Sequence, residues 1–334
     1  MSASAGSRPA PLWPAPDLRV VPLDTIWVHE NLDPLRFVAL RDVIGQQRIL
    51  ANPVVVSSVT PAAPGKPRFV HLDGANRLAA LRALGCTQVV VQVVDLYQPQ
   101  QVQLSTWAHR TCVDLIDFFG HLQRLPEVDI QPLRQAGEAM QDTAAAFIFC
   151  KQGTYQLSLR RPTVVNRVAA LQAVVALYCR CIERYKLPLL PEPQVVARHL
   201  ATGTPDEPHH VLLTFVPLRV EDFLALASQG IPVPPGVTRF VLHGGRALGL
   251  NVPLSILGPS TCPTRANDWL ATLREVQPVI VPGPCRMQEY LGWREYDDDE
   301  PLLVYHAARG VNMVPERLWG ERAWRVRATA ARRA

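Results

Sequence analysis

Lysine is nearly missing from this chain of 334 residues: Lys66, Lys151 and Lys186 are the only lysines among 34 basic residues. The rest are arginines scattered beside many alanines and prolines, and the formal net charge is only +5 against 29 acidic residues. A nucleic-acid binder concentrates its charge on one face or helix. This thin, dispersed excess reads instead as a coding bias. The one local concentration, Arg317, Arg322, Arg325, Arg327, Arg332 and Arg333, reads as a solvated tail. The start of the chain, Ala/Pro/Ser-rich through residue 17, has no apolar core of the kind a signal peptide carries. No later run approaches the ~20 apolar residues of a membrane span. The seven cysteines (Cys86, Cys112, Cys150, Cys179, Cys181, Cys262, Cys285) are odd in number and mostly isolated, which argues for a reducing, cytoplasmic setting.

Several chemical signatures are absent as well. There is no G-x-x-x-x-G-K-[ST] loop, no G-x-G-x-x-G after the first strand, no paired H-R-D and D-F-G, no zinc spacing and no G-x-S-x-G elbow. Cys179 and Cys181, two positions apart on an expected helix, point in different directions and read as packing rather than metal ligands. Cys262-Pro263 is a dipeptide that sometimes ligates haem, but a single pair carries little weight. The acidic run Asp297, Asp298, Asp299 and Glu300 lacks ligand spacing and a glycine-shaped loop, so it reads as a solvated loop.

What is present supports two domains of ordinary size, with 48% hydrophobic residues for their cores. Leu18 to Glu30 has the content of a strand interrupted at Pro22 and ending in His29-Glu30. Asp33 and Pro34 suit the N-cap and first position of a helix whose apolar residues fall on more than one face, as for packing on two sides. Pro53–Val59 and Arg68–Leu72 read as strands joined by the loop PAAPGKP. The stretch HLDGANRLAALRALG, His71 to Gly85, then reads as a strand end, a tight Asp73-Gly74 turn and a helix. Leu78, Leu81 and Leu84 form its buried stripe, and Gly85 stops it. Asp73, Asn76 and Arg77 thus stand where free backbone N–H groups favour an anion, phosphate first. Val89–Asp95 is apolar throughout, as for a strand inside a sheet.

Residues 98–121 read as helical, with a domain boundary expected between Pro126 and Pro132. Phe147–Cys150 and Tyr155–Leu159 form a hairpin around Gly153. A long helix is expected from Thr163 to Tyr185, then a strand at His210–Val216, a short helix at Val220–Ser228, a helix at Asn267–Val276 capped by Asn267 or Asp268, and a strand at Leu302–Tyr305. Within the Pro/Gly-punctuated run from Ile231 to Leu257, Thr238, Arg239, His243 and Arg246 are polar exceptions that need a reason.

The order of a strand ending in His29-Glu30, an Asp33-Pro34 helix, the PVVV strand, the Asp73-Gly74-x-x-Arg77 turn with its helix, and the strand VVVQVVDL resembles the ParB/sulfiredoxin-type fold. Within that superfamily it is most similar to the free L-serine kinases, including their siderophore-cluster branch. The resemblance is good over residues 18 to about 110 and continues more weakly through PPGVTRFVLHGGRALGLNVPLSIL. It implies an α+β protein with a disordered leader (1–17), a ParB/sulfiredoxin-like nucleotide-binding domain (18–125) and a mixed α/β C-terminal domain (126–334) contributing to the substrate site. It also implies phosphoryl transfer from ATP or ADP, with Mg²⁺, to the hydroxyl of L-serine, giving O-phospho-L-serine for siderophore or amino-acid biosynthesis.

By the same resemblance Glu30 is the base that takes the serine proton, and Asp73, Trp107, Thr238 and Arg239 bind serine. Gly74, Ala75, Asn76 and Arg77 hold the nucleotide phosphate. Family members often carry histidine where this chain has Ala75 and Asn76, so charge stabilisation at the turn rests more on Arg77 and Mg²⁺. Sulfiredoxin activity would need a cysteine in this turn, and there is none. The competing reading is a ParB-like DNA-binding or ligand-sensing regulator. Against it, the region after residue 126 offers a hairpin and one long helix in place of a basic recognition helix. Nucleotide and serine are the expected partners, with no membrane and with a homo-oligomer left open.

Overall fold

The computed structural model describes residues 15–59, 68–133, 143–178, 182–201, 209–259, 263–281, 285–296, 300–305 and 313–315. The chain divides into two compact units, and the division is not linear. One contains residues up to Ile26, Pro34–Gln103 and the chain from Val241 onward; the other contains Trp27–Asp33 and Leu104–Phe240. The domains expected from the sequence, 18–125 and 126–334, therefore differ from the units observed. The segment around Pro126 and Pro132 is a strand, Val128–Pro132, inside the second unit. Short turn-forming residues suggested a boundary there, but pairing of Tyr155 with Pro132 and of Leu159 with Val128 makes it a sheet edge, where proline is tolerated.

The first unit is built on a five-stranded sheet in the order Asp17–Pro22, Gln88–Val94, Val54–Ser58, Phe69–Asp73, Ile26–Trp27. Gln88–Val94 runs antiparallel to the first strand and parallel to Val54–Ser58, so it lies inside the sheet as its apolar run requires. The helices Pro34–Gln47 and Ala75–Ala83 pack together. The first of them buries only Leu40 and Ile44, while Leu35 is 86% exposed, so the expected packing on two sides is corrected to one. Two further three-stranded sheets follow. Arg246–Leu248 pairs with Leu302–Val304, which pairs with Val279–Val281. The hairpin Cys285–Glu289/Gly292–Tyr296 pairs with Met313–Pro315.

The second unit holds a six-stranded sheet in the order Glu183–Tyr185, Ala108–Val113, His209–Phe215, Ala144–Cys150, Gly153–Leu159, Val128–Pro132. Ala144–Cys150 is buried at every position because the sheet is covered on both faces. Ile148 packs into one cluster with Leu122, Leu171 and Phe215, and Phe147 and Phe149 pack into another with Leu212. Full burial of side chains such as Phe147 and Phe215 contributes about 1.5–3 kcal/mol each relative to exposure. The hairpin around Gly153 forms as expected, and its register places Cys150 opposite Gly153.

Three expectations are corrected here. Residues 103–106 and 108–113 are strands, and helix begins only at Leu115, capped by the Asp114 side chain. TWAHRTCV fits either period locally, and its pairing with His209–Phe215 decides for strand. The long helix is Val164–Ala176, capped by Thr163, and Glu183–Tyr185 is an edge strand paired with Ala108–Arg110. The last helix starts earlier than expected, at Pro263, and runs to Arg274, so Asn267 and Asp268 lie inside it. The calls on Cys179, Cys181, Cys262, Asp297–Asp299, the PAAPGKP loop and the C-terminal arginines lie outside the described residues. Among the described residues no helix is long and apolar enough to cross a membrane.

Candidate functional site

Each unit gathers part of the residues singled out in the sequence. In the second unit, the chain at His29-Glu30 is held beside the segment Val233–Phe240. Glu30 forms a parallel bridge with Val233, whose N–H donates to the His29 carbonyl at 2.6 Å. His29 is buried against Phe223 and Phe240, and its Nε2 lies 3.3 Å from the Thr238 hydroxyl. The backbone N–H of Trp107 donates to Val237 O at 3.0 Å, and the Arg239 guanidinium sits 5.0 Å from the Trp107 ring centroid. The structure thus brings Glu30, Trp107, Thr238 and Arg239 around one short stretch of chain. Thr238 and Arg239 are both buried, which gives these polar exceptions their reason: one faces His29 and the other stacks on Trp107.

In the first unit, Asp73 ends its strand and Gly74 begins the turn with φ +112°, a conformation that glycine adopts at no steric cost. No side chain caps the helix Ala75–Ala83. Its first N–H groups have no intrahelical acceptors, which leaves them as hydrogen-bond donors at the turn. Ala75 is buried, and the Asn76 Oδ1 atom is buried without a hydrogen-bond partner among the described residues.

Asp73 is surrounded by three guanidinium groups. Arg246 Nη1 lies 2.5 Å from Asp73 Oδ2, and Arg77 Nη2 and Arg294 Nη1 each lie 3.3 Å from the same oxygen. Burial alone would push the Asp73 carboxyl up, but Arg294, Arg246 and Arg77 together hold it well below the usual carboxylate range. All three pair with Oδ2. Among the described residues Oδ1 makes no ion pair or hydrogen bond, and a carboxylate has lone pairs to spare there.

The three arginines differ in what they have left. Arg77 donates through Nη1 to the carbonyls of Asn52 and Pro53 and is 11% exposed. Arg246, 4% exposed, gives Nε and Nη2 to Glu300 Oε1 at 2.6 Å and Nη1 to Asp73. Arg294, 30% exposed, stacks on the Tyr296 ring at 5.0 Å and uses Nη1 alone, for Asp73 and, at 3.9 Å, for Glu289. Glu289 in turn accepts from Asn52 Nδ2 and from the Tyr296 hydroxyl.

Sequence reasoning flagged Arg246 only as a polar residue in an apolar run, and that was the signal for its burial. It placed Glu300 in a solvated acidic run. The structure corrects this, because Glu300 is buried as the counter-charge of Arg246. Arg294, Glu289 and Tyr296 carried no sequence signal at all, since only the pairing of Cys285–Glu289 with Gly292–Tyr296 sets them side by side.

No family model matches the sequence. The chain is 28% identical over 255 residues to the ATP-dependent L-serine kinase SbnI of Staphylococcus aureus (strain NCTC 8325 / PS 47), covering 75% of this chain and 88% of that protein. Among solved structures it matches SbnI with a C-terminal truncation from Staphylococcus aureus, at TM-score 0.57 and 26% identity over 77% of this chain and 96% of the other. It also shares the fold of a free serine kinase in complex with AMP, at TM-score 0.56 and 19% identity over 75% and 98% of the two chains. With the Asp73-Gly74-x-x-Arg77 turn at a helix N-terminus and the α+β fold of these proteins, the chain is similar to the free L-serine kinases in sequence and in fold.

Proposed function

We propose that this protein is a nucleotide-dependent L-serine kinase that makes O-phospho-L-serine, feeding siderophore or amino-acid biosynthesis. The observation that carries the reading is the state of Asp73: one carboxylate oxygen is saturated by three arginines, and the other is open beside the uncapped N-terminus of the Ala75–Ala83 helix. An anionic acceptor held rigidly next to a set of free N–H donors suits a substrate with a hydroxyl or ammonium group beside a phosphoryl group.

In this reading Glu30 accepts the proton of the serine hydroxyl as its oxygen attacks the terminal phosphorus in line, and the bond from that phosphorus to the bridging oxygen of the donor breaks. Asp73 Oδ1 takes the serine hydroxyl or ammonium. The backbone N–H groups of Gly74, Ala75 and Asn76 meet the transferred phosphoryl group, to which Arg77 adds its charge from a position fixed by the Asn52 and Pro53 carbonyls. Arg239, already oriented by Trp107, offers donors suited to a carboxylate, with Thr238 beside it. ATP is the favoured donor because the relative that covers most of this chain is an ATP-dependent enzyme. Mg²⁺ enters as part of the substrate, because the nucleotide phosphate oxygens themselves coordinate it.

Incubation of the purified protein with L-serine, Mg²⁺ and either ATP or ADP, followed by phosphorus NMR, tests the proposal. A phosphoserine resonance with one donor supports it and names that donor. No product with either donor overturns it.

A further inference from the structure

We propose that Arg294, carried by the hairpin Cys285–Glu289/Gly292–Tyr296, is a phosphate-binding residue that contacts the phosphoryl group at the Asp73–Arg77 turn. The proposal deepens the kinase reading and rests on it for the identity of the phosphate. The argument is one of elimination among the guanidinium groups beside Asp73. Arg246 has its three nitrogens committed to Glu300 and Asp73 and is almost wholly buried. Arg77 has both terminal nitrogens on protein acceptors. Arg294 engages the protein through Nη1 alone, so among the described residues it keeps two uncommitted nitrogens, Nε and Nη2, where Arg77 keeps only Nε and Arg246 none, and it is also the most exposed of the three.

Its surroundings suit that task. The Tyr296 ring at 5.0 Å sets the plane of the guanidinium, which keeps its free edge oriented without a rotamer search. Asp73, Arg77, Arg246, Glu289, Arg294 and Tyr296 surround one tight, shallow depression. An independent sign of a missing ligand is Asn76, whose side-chain Oδ1 is buried without a partner at the adjoining helix start. The oxygen and nitrogen of such an amide are assigned by their partners, so a bound phosphate would be met by the amide nitrogen after rotation by 180°. The charges also fit. Asp73, Glu289 and Glu300 balance three arginines, so the resting cluster is neutral. Arg294 is held to Glu289 only at 3.9 Å, a contact that a dianionic phosphate can outcompete.

Titration of the full-length protein with inorganic phosphate and with O-phospho-L-serine, followed by calorimetry, reads this directly and does not require turnover. Arg294→Gln should weaken both ligands by about tenfold or more, and Arg294→Lys should recover most of the loss by keeping the charge. Glu289→Gln should tighten both severalfold, because it removes the competing carboxylate while its amide can still meet Asn52 and Tyr296. That opposite sign is one that loss of fold cannot mimic, so the test stands even if Arg294→Gln does not fold. The inference is overturned if Arg294→Gln binds phosphate like the wild type, if Glu289→Gln leaves affinity unchanged or lower, or if the wild type binds neither ligand. A wild type that binds phosphate through Arg294 yet makes no phosphoserine would sink the kinase reading alone.

Discussion

Replacing Arg246 by methionine tests the centre of the first unit. The guanidinium is 4% exposed and sits between two carboxylates, with Glu300 Oε1 at 2.6 Å on one side and Asp73 Oδ2 at 2.5 Å on the other. Asp73 keeps Arg77 and Arg294 when Arg246 is removed, so it retains its counter-charge. Glu300 does not: its side chain is 7% exposed, and Arg246 is its ion-pair partner among the described residues. Breaking one side of a buried ion pair costs about 3–5 kcal/mol, because the remaining charge stays desolvated and unpaired. At roughly 2–4 °C per kcal/mol for a domain of this size, the melting temperature should fall by about 6–20 °C.

Urea denaturation followed by circular dichroism at pH 7 measures this. The double change Arg246→Met with Glu300→Gln should recover a large part of the loss, since no charge is then left behind. A single variant within about 1 kcal/mol of the wild type, as expected for an exposed pair, would refute the claim that this pair is buried and mutually dependent. Turnover should also fall in Arg246→Met, because Asp73 loses the contact that sets its orientation.

Glu30→Gln should reduce phosphoserine formation by a hundredfold or more while leaving nucleotide affinity nearly unchanged, the order expected for a lost general base; equal turnover in a coupled assay would remove Glu30 from the mechanism. His109 is buried with Nε2 2.7 Å from Gly236 O and Nδ1 3.2 Å from the Tyr178 hydroxyl, and burial, aided by the charge of Arg184, brings its pKa down to about 4. The unfolded chain, with a histidine pKa near 6.5, then binds more protons than the folded one between pH ~6.5 and ~4. Stability should therefore fall by about 3 kcal/mol as pH drops through that window, and His109→Gln should flatten this part of the urea-stability profile. Gly74→Ala places a methyl group 3.1 Å from Arg77 Nε and Nη2 at φ +112°, so it should cost about 1–3 kcal/mol in denaturation experiments and displace the Arg77 side chain.

The parts of the protein legible in its sequence were those set by local chemistry. Asp33-Pro34 starts a helix, Gly74 makes the turn before Ala75, Gly85 at φ +76° ends that helix, and Gly153 closes a hairpin, because each depends on a few adjacent residues. The Asp73-Gly74 turn was legible for the same reason, since its motif is short, whereas Glu30 stood out only through the family resemblance. What only the tertiary structure decided depends on residues far apart in the chain. TWAHRTCV is a strand because His209–Phe215 pairs with it, and the units interleave because Trp27–Asp33 belongs with Leu104–Phe240. The electrostatics of the turn were least visible. Asp73, Arg246, Arg294 and Glu300 span more than two hundred positions, and Glu300 reads as solvated until burial beside Arg246 makes it a counter-ion. A buried charge requires a partner whatever the sequence distance between them, so composition can announce the requirement at Arg246, but only packing names the carboxylates that meet it.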